Sequence, residues 1–252
     1  MSTPKTTVRL AAMADVHYTK KSQGALYQVF SRASESADIF LLCGDITNSG
    51  QPEEAHVLGK DLKAAVRIPI IAVLGNHDYE SGRMGEVQDI LLDYGVNVLN
   101  GTICEVHGIG FAGVKGFAGG FGTHSLQPWG EEAIKLFVQE AVNEAVRLES
   151  ALAKLRTVQR IALLHYSPIP ATIEGEHPEI FPFLGTCRLE EPLNRCEVSA
   201  AFHGHAHGGC PEGRTRENIP VYNVSMPVLL RSYPDRPPFR LVEMPALATK
   251  EV

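Results

Sequence analysis

The feature that most constrains the fold is the alternation of apolar runs with segments of helical spacing in the first third of the chain. The apolar runs span residues 7–13, 39–43 and 68–74, and the segments of helical spacing span residues 23–36, 52–66 and 86–93. Runs that are nearly continuous in apolar residues predict strands in a sheet covered on both faces, and their alternation with helices predicts parallel βαβ crossovers. We therefore expect an α/β fold.

The rest of the chain returns to strands after one long helix. Residues 113–125 form a loop rich in glycine, and residues 131–156 carry an apolar stripe typical of a helix packed on a core. Shorter strands are predicted at 101–106, 109–112, 160–164, 198–202, 221–224 and 239–244. Because no repeat or linker interrupts the chain, we expect a single domain over residues 1–252, built from two sheets flanked by helices.

Polar clusters follow five of the predicted strands immediately. Their sequences are "ADVH", "GDITNSG", "GNHD", "HYSP" and "GHAH". Functional sites of α/β sheets form where loops leave the carboxyl ends of strands, so five such clusters can converge on one place. Each cluster alone has an ordinary interpretation as a turn, a surface histidine or a buried structural histidine. Their joint occurrence favours a site.

The side chains of these clusters form a set of oxygen and nitrogen donors without a thiolate. Such a set suits Mn, Fe, Zn or Ni rather than a structural zinc–cysteine site. Seven ligands are too many for one tetrahedral ion but suit two ions if one carboxylate bridges them, and Asp45 is in the natural position for the bridge. The seven predicted ligands are Asp15, His17, Asp45, Asn76, His165, His205 and His207.

The order D-x-H, G-D, G-N-H-D, H, G-H-x-H resembles the calcineurin-like metallophosphoesterase superfamily, and the motifs run from residue 15 to residue 207. The resemblance implies a four-layered α/β sandwich, and it divides the ligands between two divalent or mixed-valence transition-metal ions. One ion would be held by Asp15, His17, Asp45 and His207. The other would be held by Asp45, Asn76, His165 and His205.

The resemblance also implies a metal-dependent hydrolase, in which a metal-bridging hydroxide attacks the phosphorus of a small phosphodiester or phosphomonoester. His77 would act beside the leaving group without binding metal, and Asp78 would be the acid that orients it. Asn76, His77 and His124 are candidate contacts to the substrate. The motifs are shared with nucleases and cyclic-nucleotide phosphodiesterases, and a non-catalytic scaffold on the same fold is a further alternative. Asn48 occupies the position where the purple acid phosphatases need a tyrosine.

Composition and charge indicate which partners and which cellular compartment to expect. The net charge of −6 and the absence of a Lys/Arg cluster argue against a nucleic-acid partner. No stretch of 18 apolar residues or signal peptide occurs, so no membrane association is expected. Five cysteines without C-x-x-C spacing predict reduced thiols in a cytoplasmic protein. The loops 115–125, 166–178 and 231–236 are expected to select the substrate, and the oligomeric state is left open.

Overall fold

The computed structural model describes residues 7–245. Within this range it contains eleven strands and eight helices. The strands are β1 (Thr7–Met13), β2 (Ile39–Cys43), β3 (Ile70–Val73), β4 (Val96–Val98), β5 (Thr102–Val106), β6 (Ile109–Gly113), β7 (Gln159–Leu163), β8 (Ala200–His203), β9 (Glu212–Arg214), β10 (Pro220–Asn223) and β11 (Arg240–Pro245). The helices are α1 (Tyr27–Ser36), α2 (Pro52–Ala65), α3 (Asn76–Tyr79), α4 (Met84–Asp93), α5 (Glu132–Leu152), α6 (Phe181–Leu184), α7 (Glu190–Arg195) and α8 (Met226–Ser232).

The strands form two mixed sheets. The first sheet has the order β11-β1-β2-β3-β4, and only β11 at its edge is antiparallel to its neighbour. The second has the order β5-β6-β7-β8-β10-β9, in which the central strands are parallel and both edge strands are antiparallel. The parallel strands in each sheet direct their carboxyl ends to one edge, as the strand–helix alternation predicts.

Three apolar layers hold the sheets and helices together. The first sheet packs one face on α1, α2 and α4, and its other face on the second sheet. The second sheet packs its outer face on α5 and α7. The apolar side chains of β1 alternate accordingly, since Leu10 lies between the sheets and Ala11 lies under the helices. This is the expected four-layered α/β sandwich, with two mixed sheets flanked by helices.

The boundaries differ from the sequence prediction at several places. Helix α1 begins at Tyr27 instead of residue 23, because residues 19–25 form turns and Gly24 has a φ of 78° that a helix cannot contain. Strands β4 and β9 and helices α3, α6, α7 and α8 are not among the predicted elements, because each is only three to seven residues long and shows little periodicity.

Two further observations concern the cysteines and the helices. All five cysteines are free thiols. Within residues 7–245, no helix combines the length and the apolar character needed to cross a membrane. The organisation of residues 1–252 as a single domain stays a prediction.

Candidate metal centre

The five polar clusters meet at the carboxyl ends of β1, β2, β3, β7 and β8. Three groups of side chains are close enough to hold a metal ion, because within each group the ligand atoms lie within 4.8 Å of one another. These groups share members, so they form one continuous cluster. The groups are Asp15, His17 and His207; His17, Asp45 and His77; and Asp45, His165 and His205.

Asp45 lies at the centre of this cluster. Its Oδ2 atom is 3.8 Å from Nε2 of His17 and 4.0 Å from Nε2 of His77, and its Oδ1 atom is 3.3 Å from Nε2 of His165. The side chain is only 3% exposed. A buried carboxylate is costly unless cations or hydrogen bonds compensate its charge. Its two oxygens face different histidines, which is the arrangement that a bridging ligand requires.

The remaining predicted ligands lie on either side of Asp45. Oδ1 of Asp15 is 3.1 Å from Nε2 of His207, and both of its carboxylate oxygens accept a hydrogen bond from the backbone N–H of His205. Oδ1 of Asn76 is 2.9 Å from Nε2 of His165. The structure therefore brings all seven predicted ligands together.

Glycines allow the loops to approach this closely. A Cβ atom on Gly75 would lie 2.2 Å from Oδ1 of Asp45, and one on Gly44 would lie 2.3 Å from Nδ1 of His165. Gly44 also has a φ of 85°, which disfavours other residues. The glycines that precede Asp45 and Asn76 in the motifs are thus required by the packing of the site itself.

In two of the predicted histidine ligands, one ring nitrogen faces a backbone carbonyl and the other ring nitrogen is left for a metal. Nδ1 of His165 lies 3.0 Å from the carbonyl oxygen of Cys43, and Nε2 of His205 lies 3.1 Å from that of Phe183. If each of these nitrogens carries the proton and donates it, the other nitrogen of each ring keeps a lone pair. Histidine ligands in proteins usually have such a partner, so the donor set fits transition-metal ions.

The pKa values of the cluster also suit cation binding. Burial disfavours the charged form of Asp45, but the charge and hydrogen bond of His165 outweigh burial and hold the pKa of Asp45 below its ordinary value. Burial lowers the pKa of His205 to about 4. For His165, burial is outweighed by Asp45, which raises the pKa of that histidine to about 9. The carboxylate is therefore charged and His205 neutral at pH 7, while His165 would have to release a proton to bind a metal.

The expected pair between His77 and Asp78 is absent. The Asp78 carboxylate is buried and accepts hydrogen bonds from the N–H groups of Gly75 and Thr47, at 2.7 Å each, and from the Thr47 hydroxyl at 2.6 Å. His77 instead places Nδ1 2.8 Å from the carbonyl oxygen of Asn48. The two residues are neighbours in helix α3, where adjacent side chains point in different directions.

Three residues come from the loops that are predicted to select the substrate. Lys115 is buried, donates to the carbonyl of Gly116, and places Nζ about 5 Å from the ring centroids of Phe117 and Tyr166. His124 is exposed, and within residues 7–245 no hydrogen bond or ring contact joins it to the seven predicted ligands. Arg231 donates to the carbonyls of His207 and Gly209, at 2.8 and 2.7 Å.

The sequence interpretation missed side chains that hold the "GHAH" loop in place. Arg231 is one of them. Buried Asn223 donates to the carbonyl of Ala206 at 2.8 Å, and the carboxylate of Glu176 accepts from the N–H of Gly208. Asn223 ends β10, so the rule that directed attention to polar residues at strand ends could have found it. Glu176 comes from a loop and gave no signal.

Solved structures with similar folds include three whose chains are covered to a large extent. Phosphopantetheinyl hydrolase from Mycobacterium tuberculosis has a TM-score of 0.65 at 15% identity, over 92% of this chain and 95% of that chain. TT1561 of Thermus thermophilus has a TM-score of 0.55 at 15% identity, over 96% and 100%. GAP50, the anchor in the inner membrane complex of Plasmodium, has a TM-score of 0.54 at 14% identity, over 89% and 73%. At these identities the likeness shows the fold alone.

Sequence comparisons identify the family. No curated protein sequence matches the chain. The family model of the calcineurin-like phosphoesterases matches residues 8–209, which is most of the chain and includes every residue of the cluster. The chain therefore belongs to the calcineurin-like phosphoesterase family.

Proposed function

We propose that this protein is a binuclear metal-dependent hydrolase that cleaves a small phosphodiester or phosphomonoester. The observation that carries the proposal is the position of Asp45, a buried carboxylate within 4.0 Å of histidines from three other loops. The family supports metal-dependent phosphoester hydrolysis in general. The two ions would be held by the seven predicted ligands, Asp15, His17, Asp45, Asn76, His165, His205 and His207.

The donors would divide between two sides of Asp45. Asp15, His17 and His207 group on one side, and His165 and His205 group on the other, with Asn76 beside His165. Bound divalent ions would supply positive charge for the phosphoryl oxygens and lower the pKa of a water molecule. This explains how a chain with a net charge of −6 can attract a phosphoester.

His77 is proposed to donate a proton to the leaving oxygen. Its Nδ1 atom faces the carbonyl of Asn48, so Nδ1 carries the proton that is donated, and the ring is held with Nε2 towards Asp45. The side chain is 39% exposed, which gives a substrate access to it. When Nε2 is also protonated it can donate to the departing oxygen, a general-acid role worth about 10²–10⁴-fold in rate.

Asn76 is proposed to contact both metal and substrate. Its Oδ1 atom faces His165, while its amide nitrogen has no hydrogen-bond partner within residues 7–245. That nitrogen is free to donate to a phosphoryl oxygen. Asp78 is proposed to act as a positioning residue, because its carboxylate joins the loop after β2 to the start of α3. His124 is exposed, and its contact with the substrate stays a prediction.

The complete donor set is the reason to prefer an enzyme over a non-catalytic scaffold on this fold. The test uses bis(4-nitrophenyl) phosphate and 4-nitrophenyl phosphate as substrates. We expect a chelator to abolish hydrolysis and Mn²⁺ to restore it. Ca²⁺ serves as the control, since it prefers all-oxygen sites and should restore little activity. Full activity in metal-free protein would refute the proposal.

A further inference from the structure

A second pocket lies outside the metal centre, between α1, β11 and the segment that joins α8 to β11. Its volume is about 600 Å³, within the range of small-molecule sites. None of the seven predicted ligands lines it. The charged residues among those that line it are Arg32, Arg236, Arg240 and Glu212. Three arginines and one glutamate therefore line this pocket in a chain whose net charge is −6.

One arginine of the pocket is held rigidly. Arg240 donates to the hydroxyl of Tyr233 at 2.9 Å and to the carboxylate of Glu212 at 2.6 Å. Its guanidinium also lies 5.0 Å from the ring centroid of Tyr222. These bonds use two of its five N–H groups and fix the plane of the remaining donors. A fixed guanidinium loses little entropy when it binds an anion.

The other two arginines of the pocket are not held by polar side chains of the described part of the chain. Within residues 7–245, neither Arg32 nor Arg236 forms an ion pair or a side-chain hydrogen bond, and Arg236 only places its guanidinium 5.5 Å from the ring centroid of Tyr233. Arg240 alone would be explained by its bond to Glu212. Two unpaired arginines that line the same pocket as a preoriented third form an arrangement that suits bidentate recognition of phosphate.

We infer that this pocket is a second binding site, for a phosphate-bearing molecule of the size of a mononucleotide. The volume exceeds the need of a phosphate ion alone, and the rings of Tyr233 and Phe239 contribute apolar wall beside the arginines. The inference does not depend on the proposed hydrolase activity, because no residue of the metal centre takes part.

The test measures binding of adenosine 5′-monophosphate by calorimetry at low ionic strength to protein treated with a chelator, so that metals in the active site cannot bind the phosphate. Adenosine is the uncharged comparison. Arg236→Gln and Arg32→Gln are the variants. Arg195→Gln is the matched control, because Arg195 is exposed, pairs with Glu149 on α5, and loses the same charge.

We expect the monophosphate to bind, adenosine to bind at least tenfold more weakly, and each pocket variant to weaken binding about tenfold, the effect of losing one charge-assisted hydrogen bond. The control variant should bind within twofold of the unmodified protein. Absence of binding, equal affinity for adenosine, or equal affinity in the pocket variants and the control would each overturn the inference.

Discussion

Replacement of Asp45 by asparagine is the sharpest test of the metal centre. Asparagine has nearly the same shape and keeps an oxygen that can accept the hydrogen bond from the N–H of His77, which is 2.9 Å long. The substitution therefore removes the charge while preserving most of the local packing. We expect it to weaken the binding of both ions at once, because the two carboxylate oxygens face different groups of histidines.

The size of the effect follows from the burial of the side chain. At 3% exposure the carboxylate is poorly screened by solvent. Two opposite unit charges 4 Å apart attract each other by about 4 kcal/mol at an effective dielectric constant of about 20. Part of the lost attraction is offset, because a neutral amide costs less to bury than a carboxylate. Even a net loss of about 3 kcal/mol weakens binding roughly a hundredfold for each ion.

The assay is elemental analysis of metal content after dialysis, together with hydrolysis of bis(4-nitrophenyl) phosphate in excess Mn²⁺. His17→Ala, made in parallel, should weaken mainly one ion. Asp61→Asn is the control, because Asp61 is a buried carboxylate outside the centre that accepts from the Tyr18 hydroxyl and the Gly24 N–H. It should keep its metal. Two tightly held ions and intact activity in Asp45→Asn would refute the assignment of a bridging ligand.

Three further predictions concern turnover, stability and substrate. His77→Ala should keep its metal but lose about 10²–10⁴-fold in rate, most severely for poor leaving groups, and an equal loss for all leaving groups would argue against proton donation. Asp78→Asn should lower the free energy of unfolding, measured in urea, by about 1–3 kcal/mol, because an amide cannot accept all the hydrogen bonds that the Asp78 carboxylate accepts. The control is exposed Asp93→Asn, which should change the free energy of unfolding by less than about 0.5 kcal/mol. Small phosphoesters should be hydrolysed faster than duplex DNA or RNA, and the reverse preference would favour a nuclease.

The convergence of the polar clusters can be predicted from the sequence because both signals are local. Apolar runs such as residues 39–43 identify strands without reference to the rest of the fold, and the polar residue that follows each run is then placed at one edge of a sheet. The seven predicted ligands lie together for this reason. The order of the strands within the two sheets is set by long-range pairing, for example between β1 and β11, and periodicity contains no information about it.

Contacts among side chains from distant segments could not be predicted in the same way. Lys115 lies in a loop rich in glycine that is expected to select the substrate. Its ammonium group is buried because rings from positions 79, 117 and 166 surround it, and only the folded chain brings these together. For Asp78, the resemblance implies an acid that orients His77, whereas the carboxylate accepts from the N–H groups of Gly75 and Thr47. Adjacent side chains of a helix point apart, so adjacency in sequence does not make these two residues partners.

The backbone adds an argument that function, and not stability, determines the residues at the strand ends. Seven non-glycine residues between positions 7 and 245 have a positive φ, and four of them belong to the predicted ligands: Asp15, His17, Asp45 and His205, with φ between 43° and 69°. This conformation costs a residue other than glycine about 1–2 kcal/mol. Glycine would relieve that strain at each position but would provide no ligand. A fold selected only for stability would not concentrate strained aspartates and histidines at one edge of its sheets, whereas a metal centre requires their side chains at these positions.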